Sequence, residues 1–298
     1  MTTLAHSLIF RPVELADKDR ILAFTAHTWG ADEGDYIQAV FDDWFADPTG
    51  EFTAALIDDR VVAIVMLSDL GDGEWWFEGL RVDPAFRRRG MASALNRYHV
   101  ELARKLGGKV IRYMTGGENV GSQAIGSQAG FQHTITFAAH LAAADDEFDV
   151  PLKLIRADVP AVQAWLDSPL MRYQHGAYRD AWSVKTLTES EIERVITEQR
   201  AYGLKQADGR IAAWAMVRED SDDTEDGERK RLCVDHLDGE IEAVTELAQQ
   251  LRALAATEHR PEISAGISDY PPLIEAMTQA GYRLNPDHFG LWIMELAL

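Results

Sequence analysis

Apolar and polar positions alternate in blocks along the chain. Ser7–Pro12 reads as a short strand, and Ala16–Trp29 and Tyr36–Phe45 carry the three-to-four-residue apolar spacing of helices. The pattern then changes. Phe52–Asp58 and Val61–Leu67 are strands separated by an Asp58-Asp59 turn, and the second is apolar at nearly every position, as in a strand buried on both faces. Glu74–Val82 follows as a third strand, Met91–Leu106 as a helix and Lys109–Thr115 as a strand. A helix weakened by Gly121 and Gly126 spans Asn119–Ala129, and Phe131–Ala138 is a further strand. The order predicts a mixed α/β sheet.

The pattern recurs. Asp59-Arg60-Val61-Val62-Ala63-Ile64-Val65-Met66 resembles Asp208-Gly209-Arg210-Ile211-Ala212-Ala213-Trp214-Ala215-Met216, and Ala129-Gly130-Phe131 returns as Ala280-Gly281-Tyr282. Matching order and nearly equal spacing point to a duplication, and 298 residues suit two domains, expected at 1–145 and 146–298. The second copy has helical patterns at Pro160–Leu166 and Glu189–Arg200 and ends in a strand, His288–Leu298. The acidic stretch Glu219–Lys230 reads as a solvated hairpin loop.

Charge and cysteine content narrow the function classes. Against 29 basic residues stand 49 acidic ones, a formal net charge of -20, which disfavours nucleic acid and anionic membranes and suits solubility or the attraction of cationic substrates. The single cysteine, Cys233, excludes an intrachain disulfide. With no apolar run of membrane-spanning length and no secretory-type start, a soluble cytoplasmic protein is expected. The scattered histidines predict no metal site. Oligomeric state is left open.

One stretch carries chemistry. Leu80-Arg81-Val82-Asp83-Pro84-Ala85-Phe86-Arg87-Arg88-Arg89-Gly90-Met91-Ala92 runs from a strand through a turn into a helix. Backbone N–H groups at a helix start have no intrahelical partners and can be shared by a pyrophosphate. Gly90 and Ala92 leave room for close approach, and three consecutive arginines form a cationic patch in an acidic chain. Arginine there opposes the helix dipole, a conflict that a bound anion resolves.

Arg87, Gly90 and Ala92 fit the Arg/Gln-x-x-Gly-x-Gly/Ala signature, so the chain resembles the GCN5-related N-acetyltransferase (GNAT) superfamily over roughly residues 7–140. The resemblance implies two tandem GNAT-like domains, each a mixed, mostly antiparallel sheet flanked by helices. It implies acetyl-CoA as acyl donor, with the diphosphate on Arg87, Arg88, Arg89, Gly90, Met91 and Ala92. The pantetheine arm would lie along the Leu80, Arg81 and Val82 backbone, with Asn119 and Ser122 on the next helix. A strand N–H would polarise the thioester carbonyl.

Transfer to an amine needs a proton acceptor. Glu78 is the candidate base, expected to share a face with Val82 four residues on and to be desolvated by Trp75, Trp76 and Phe77. Family members often place a tyrosine, the proton donor, where this chain has Gly126. Tyr113, a serine such as Ser122 or Ser127, or water is the candidate substitute, or no donor is needed, and the departure keeps open a catalytically silent acyl-CoA sensor or interaction module. Acceptor recognition is expected from Trp29, Asp35 and Tyr36 within a stretch also carrying Asp32, Glu33, Asp42, Asp43 and Trp44. Asp35-Tyr36 together with Glu78-Gly79-Leu80-Arg81-Val82 resembles the subgroup containing histidine N-acetyltransferase, which suggests an amino-acid α-amine. In the second copy the equivalent turn is Leu237-Asp238-Gly239-Glu240-Ile241-Glu242. Its carboxylates would repel a diphosphate, so no coenzyme A is expected there.

Overall fold

The computed structural model describes residues 8–26, 28, 34–145, 153–154, 163–224, 227–285 and 290–298. These fall into two compact units. The first holds the described residues up to Thr115, then Asn119–His133 and Met294–Leu298; the second holds Gly116–Glu118 and the described part of Thr134–Ile293. A boundary at residue 145 lies inside the second unit, and the last five residues group with the first.

The first unit runs β1 (Ile9–Pro12), α1 (Lys18–Thr25), α2 (Ile37–Ala46), β2 (Glu51–Ile57), β3 (Arg60–Gly71), β4 (Glu74–Val82), α3 (Met91–Lys105), β5 (Val110–Gly116) and α4 (Val120–Gln128). Its strands lie in the order β1-β2-β3-β4-β5, antiparallel except for β4 with β5. Asp58 and Asp59, at φ 49° and 60°, form the two-residue turn between β2 and β3. On one face Ile21, Phe24, Ile37, Phe41 and Trp44 pack against Phe52, Ala54, Ile64 and Met66. α3 buries Met91, Leu95, Val100 and Ala103. Its fully buried His99 is bonded to the Leu95 carbonyl (2.9 Å) and Thr53 Oγ1 (2.9 Å). Burial lowers the His99 pKa to about 4. Met294–Leu298 is fixed by Arg112, which bonds Glu295 and Glu74, each at 2.5 Å, and by Leu298 N–H donating to the Lys109 carbonyl at 2.9 Å.

The second unit contains β6 (Gln132–Ala143, from Thr134), β7 (Lys153–Leu154), α5 (Pro169–Tyr173), β8 (Ala177–Asp180), β9 (Ser183–Thr186), α6 (Glu189–Thr197), β10 (Ala201–Lys205), β11 (Ile211–Thr224), β12 (Gly227–Gly239), α7 (Ile241–Thr257), β13 (Glu262–Ser268), α8 (Pro271–Gln279), β14 (Arg283–Leu284) and most of the described loop into β15 (Leu291–Ala297). The order is β6-β13-β12-β11-β10-β7, and β12–β13 is its parallel pair. The series β10-β11-β12-α7-β13-α8 repeats β2-β3-β4-α3-β5-α4. The recurring Ala-Gly-aromatic triplets close corresponding helices, with Gly130 at φ 98° and Gly281 at φ 87°. Both units are thus mixed α/β, with mostly antiparallel sheets flanked by helices, as expected.

Three expectations change in detail. The described residues of Glu219–Lys230 are strand rather than loop: β11 reaches Thr224 and β12 starts at Gly227, with Asp220 opposite Arg231 and Ser221 opposite Lys230 in register. Acidic and basic residues meeting across strands make such a ladder tolerable, which a count of charges along one strand does not reveal. The described end of Pro160–Leu166 is a 3-10 turn, Ala164–Asp167. The final strand begins at Leu291, and 286–289 lie outside the described residues. Among the described residues no helix is long and apolar enough to cross a membrane.

Candidate active site

The site is built where β4 loses its regular pairing. Met66 lies opposite Glu78 and Ile64 opposite Arg81, so two residues of β4, Gly79 and Leu80, face one of β3, a β-bulge. Gly79 adopts φ 67°, and a Cβ there would strike the Trp44 ring. Pairing of β4 with β5 runs from Glu74 to Trp76 and stops, although both strands continue, so the two strands part from Phe77 onward.

The bulge corrects one expectation. An extra residue reverses side-chain alternation, so Glu78 shares its face with Arg81 rather than with Val82, which pairs with Ala63 on the opposite face. Alternation also removes Trp75 and Phe77 from the surroundings of Glu78, since Phe77 packs on His99 and Tyr113 across the sheet. Trp76 and Ser68 remain, Ser68 Oγ donating to Glu78 Oε1 at 3.4 Å. Burial pushes the Glu78 carboxyl up to about 7, against hydrogen bonds from Ser68 and Trp76.

On the same face, Arg81 donates through Nε to Asp35 Oδ2 (2.6 Å) and through Nη2 to Oδ1 (3.1 Å), and its guanidinium lies 5.1 Å from the Tyr36 ring centre. The Asp35 side chain is 1% exposed. Burial would raise its pKa, but bonds from Arg81, Thr28 and the Ile37 N–H hold it below the usual carboxylate range. Asp35 is therefore an anchor for Arg81, not a free carboxylate awaiting an amine. Tyr36 is 44% exposed; desolvation raises its pKa, Arg81 opposes the rise, and Glu78 and Asp35 add to it. Trp29, Asp32 and Glu33 lie outside the described residues.

The turn after β4 is pinned from beneath. Asp83, 5% exposed, is paired with Arg20 and with Arg60 (3.4 Å) and accepts from the Ala85 N–H at 2.9 Å. Arg87 folds back to the Val82 carbonyl (3.2 Å), and Arg89 lies over the Phe86 ring. Arg88 has φ 59°, an uncommon backbone state for a side-chain-bearing residue, and among the described residues no ion pair or hydrogen bond engages its guanidinium. Gly90 is the N-cap of α3, at φ 83°; it caps with no side chain, and nothing stands within 4 Å of where its Cβ would be. The first-turn N–H groups, including those of Met91 and Ala92, are thus left for an anion, while the Met91 side chain is in the core. These residues fit a diphosphate. The corresponding turn of the second unit does not: Gly239 packs on Ala212 and Ala213, and Glu240, the N-cap of α7, is paired with Arg210 at 2.6 Å.

At the next helix, Asn119 caps α4 by accepting from the Ser122 N–H (3.1 Å), and the Ser122 carbonyl accepts from the Tyr113 hydroxyl (3.1 Å). A side chain at Gly126 would collide with that hydroxyl, so the tyrosine from β5 fills the space beneath position 126. Burial pushes the Tyr113 hydroxyl up to about 12.

Sequence reasoning missed the bulge at Gly79, the anchoring of Arg81 by Asp35, and Ser68. An isolated glycine inside a strand pattern was the available signal for the first. Asp35 and Arg81 are 46 positions apart, and nothing in their local sequence marks the pair.

Comparison with known proteins fits this geometry. Residues 18–131 match the acetyltransferase (GNAT) family. No curated protein matches the chain. Among solved structures, a tandem GNAT protein from the clavulanic acid biosynthesis pathway is similar at 18% identity and TM-score 0.54, covering 98% of each chain. A GCN5-related N-acetyltransferase of Sphaerobacter thermophilus is similar at 12% identity and TM-score 0.62, covering 97% of this chain and 95% of that one. One from Kribbella flavida is similar at 17% identity and TM-score 0.54, covering 100% and 73%. At these identities the structures speak for the fold.

Proposed function

We propose that the first unit, whose residues 18–131 match the acetyltransferase (GNAT) family, moves an acetyl group from acetyl-CoA to a primary amine of a small molecule, by direct attack in a ternary complex. The observation that carries this reading is the start of α3, capped by no side chain and preceded by three arginines, together with the parting of β4 from β5 after Trp76 on the strand that carries Glu78. Arg88 and the amides of Gly90–Ala92 would hold the diphosphate, and the β5-side backbone of Leu80–Val82, beyond the last β4–β5 pair, the pantetheine arm.

A Glu78 carboxyl near 7 is ionised in about half the molecules at neutral pH and takes a proton from the attacking amine as the N–C bond forms. A β4 N–H beyond Trp76 would steady the charge developing on the carbonyl oxygen. As the C–S bond breaks, the thiolate takes a proton from Tyr113, or leaves unassisted, since a thiol pKa near ~8.5 makes it a good leaving group. Asp35 and Tyr36 hold Arg81, and the Arg81–Tyr36 stack forms the wall beside the base. The resemblance to the histidine N-acetyltransferase subgroup makes an amino-acid α-amine the first acceptor to try.

One observation favours a second reading, a silent acyl-CoA-binding module: the Tyr113 hydroxyl is already spent on the Ser122 carbonyl. Thiol release from acetyl-CoA, measured over amino acids, polyamines and aminoglycosides, separates the two. Acceptor-dependent release that collapses in Glu78→Gln is the expected result. Release unaffected by that change would sink the base assignment, and tight acetyl-CoA binding without release for any amine would favour the silent module.

A further inference from the structure

The second unit has its own strand divergence. Parallel pairing of β12 with β13 runs from Leu232 opposite Ile263 to Val234 opposite Ala265 and stops, while the strands continue to Gly239 and Ser268. Ile263, Ala265 and Ile267 enter the core that contains the α7 and α8 side chains, so Ser264, Gly266 and Ser268 face the other way. Against that second face stands Arg179 of β8, 8% exposed, its Nη1 so close over Gly266 that a Cβ there could not fit.

The surrounding arginines are all matched. Arg200 bonds Asp180 (3.1 Å) and Asp235 (3.2 Å), Arg218 bonds Asp235 (3.1 Å) and pairs with Asp220 (3.4 Å), and Arg194 bonds Asp180 (2.7 Å). Arg179 differs. Its Nε donates to the Ala181 carbonyl at 2.7 Å, and among the described residues no carboxylate or other acceptor bonds its Nη groups. Two positions beyond Gly266, on the same face, the Ser268 hydroxyl is fully buried and has no hydrogen-bond partner among the described residues. Trp182, 57% exposed, covers the guanidinium from outside at 5.4 Å.

One acceptor group satisfies both the unused Arg179 Nη donors, which are not sealed from solvent, and the buried Ser268 hydroxyl on the same face, which is costly to leave unbonded. We propose that this is a binding slot for a small carboxylate, gripped by the Arg179 Nη groups and by Ser268 Oγ. A carboxylate matches the planar fork, and with Asp235 and Asp220 already acting on Arg179 a monoanion meets less repulsion than a dianion such as phosphate. The slot uses residues of the second unit alone, so it stands or falls separately from acetyl transfer.

The test is a titration of the full chain with sodium propionate at constant ionic strength, following tryptophan fluorescence. A saturable change is expected that Trp182→Phe lacks, that Arg179→Met and Gly266→Ala abolish, and that Ser268→Ala weakens about 3–10-fold in Kd. A response that sodium chloride reproduces, or that persists in Arg179→Met, overturns the proposal, as does saturation by inorganic phosphate without any by propionate. Should Arg179→Met fail to fold, judged by circular dichroism, Ser268→Ala decides: an unchanged Kd overturns the slot.

Discussion

Replacing Glu78 by glutamine removes a titrating group while keeping the shape of the side chain. The wild-type carboxyl rises from 4.5 to about 7 on folding because burial disfavours its charge. At ~1.4 kcal/mol per pKa unit this amounts to about 3 kcal/mol. The folded pKa lies above the unfolded one, so the stability conferred by the neutral acid is complete below pH 4.5 and is lost as pH rises through about 7. Glutamine stays neutral throughout. Glu78→Gln should therefore match wild type in stability near pH 4.5 and exceed it by about 2–3 kcal/mol by about pH 8. Urea unfolding followed by tryptophan fluorescence across that range measures the difference without any acceptor. A gap independent of pH would refute the desolvation argument, and a variant less stable at high pH would mean that the carboxylate is charge-paired. The same titration governs turnover: kcat/KM of the wild type should rise about tenfold between about pH 6 and pH 8, and the variant should fall by about 10²–10⁴.

Further outcomes follow from the site and its supports. Arg88→Ala should weaken acetyl-CoA binding about tenfold or more by calorimetry, the loss of one charge-assisted contact. Gly79→Ala must accept φ 67° and displace Trp44, which should cost about 2–4 kcal/mol in urea unfolding. Arg112→Met leaves Glu74 and Glu295 without their shared cation and should destabilise by about 3–5 kcal/mol in the same assay. The buried, neutral His99 works in the opposite sense to Glu78. Its folded pKa of about 4 lies below 6.5, so its contribution is complete above pH 6.5 and falls away as the pH drops toward 4. His99→Gln should flatten that part of the stability profile.

The glycine-capped turn from Arg87 to Ala92 was legible because its ingredients are contiguous, and a glycine-started helix exposes its amides whatever else the fold does. The duplication was legible too, because repeated turn and cap residues impose the same backbone twice, as the glycines at φ 98° and 87° do. Glu78 could be singled out as an acid beside aromatics on a strand leading to that turn. Its neighbours could not. One extra residue at Gly79–Leu80 reverses which side chains share a face, and period-two counting passes through a bulge without registering it.

What the chain by itself determined, then, is set by residues within a turn or two of each other: most of the elements, their repetition, the glycine-capped start of α3 with its three arginines, and the carboxylates that stand in their place in the second copy. Tertiary structure alone decided which charges are spent. Asp35 is fixed by Arg81 across 46 positions, and Tyr113 rises from β5 into the space left by Gly126, whereas Arg179 is buried over Gly266 with donors to spare. The physical reason is that the worth of a charge depends on its desolvation and on its nearest opposite charge, and both are set by groups that only folding brings together.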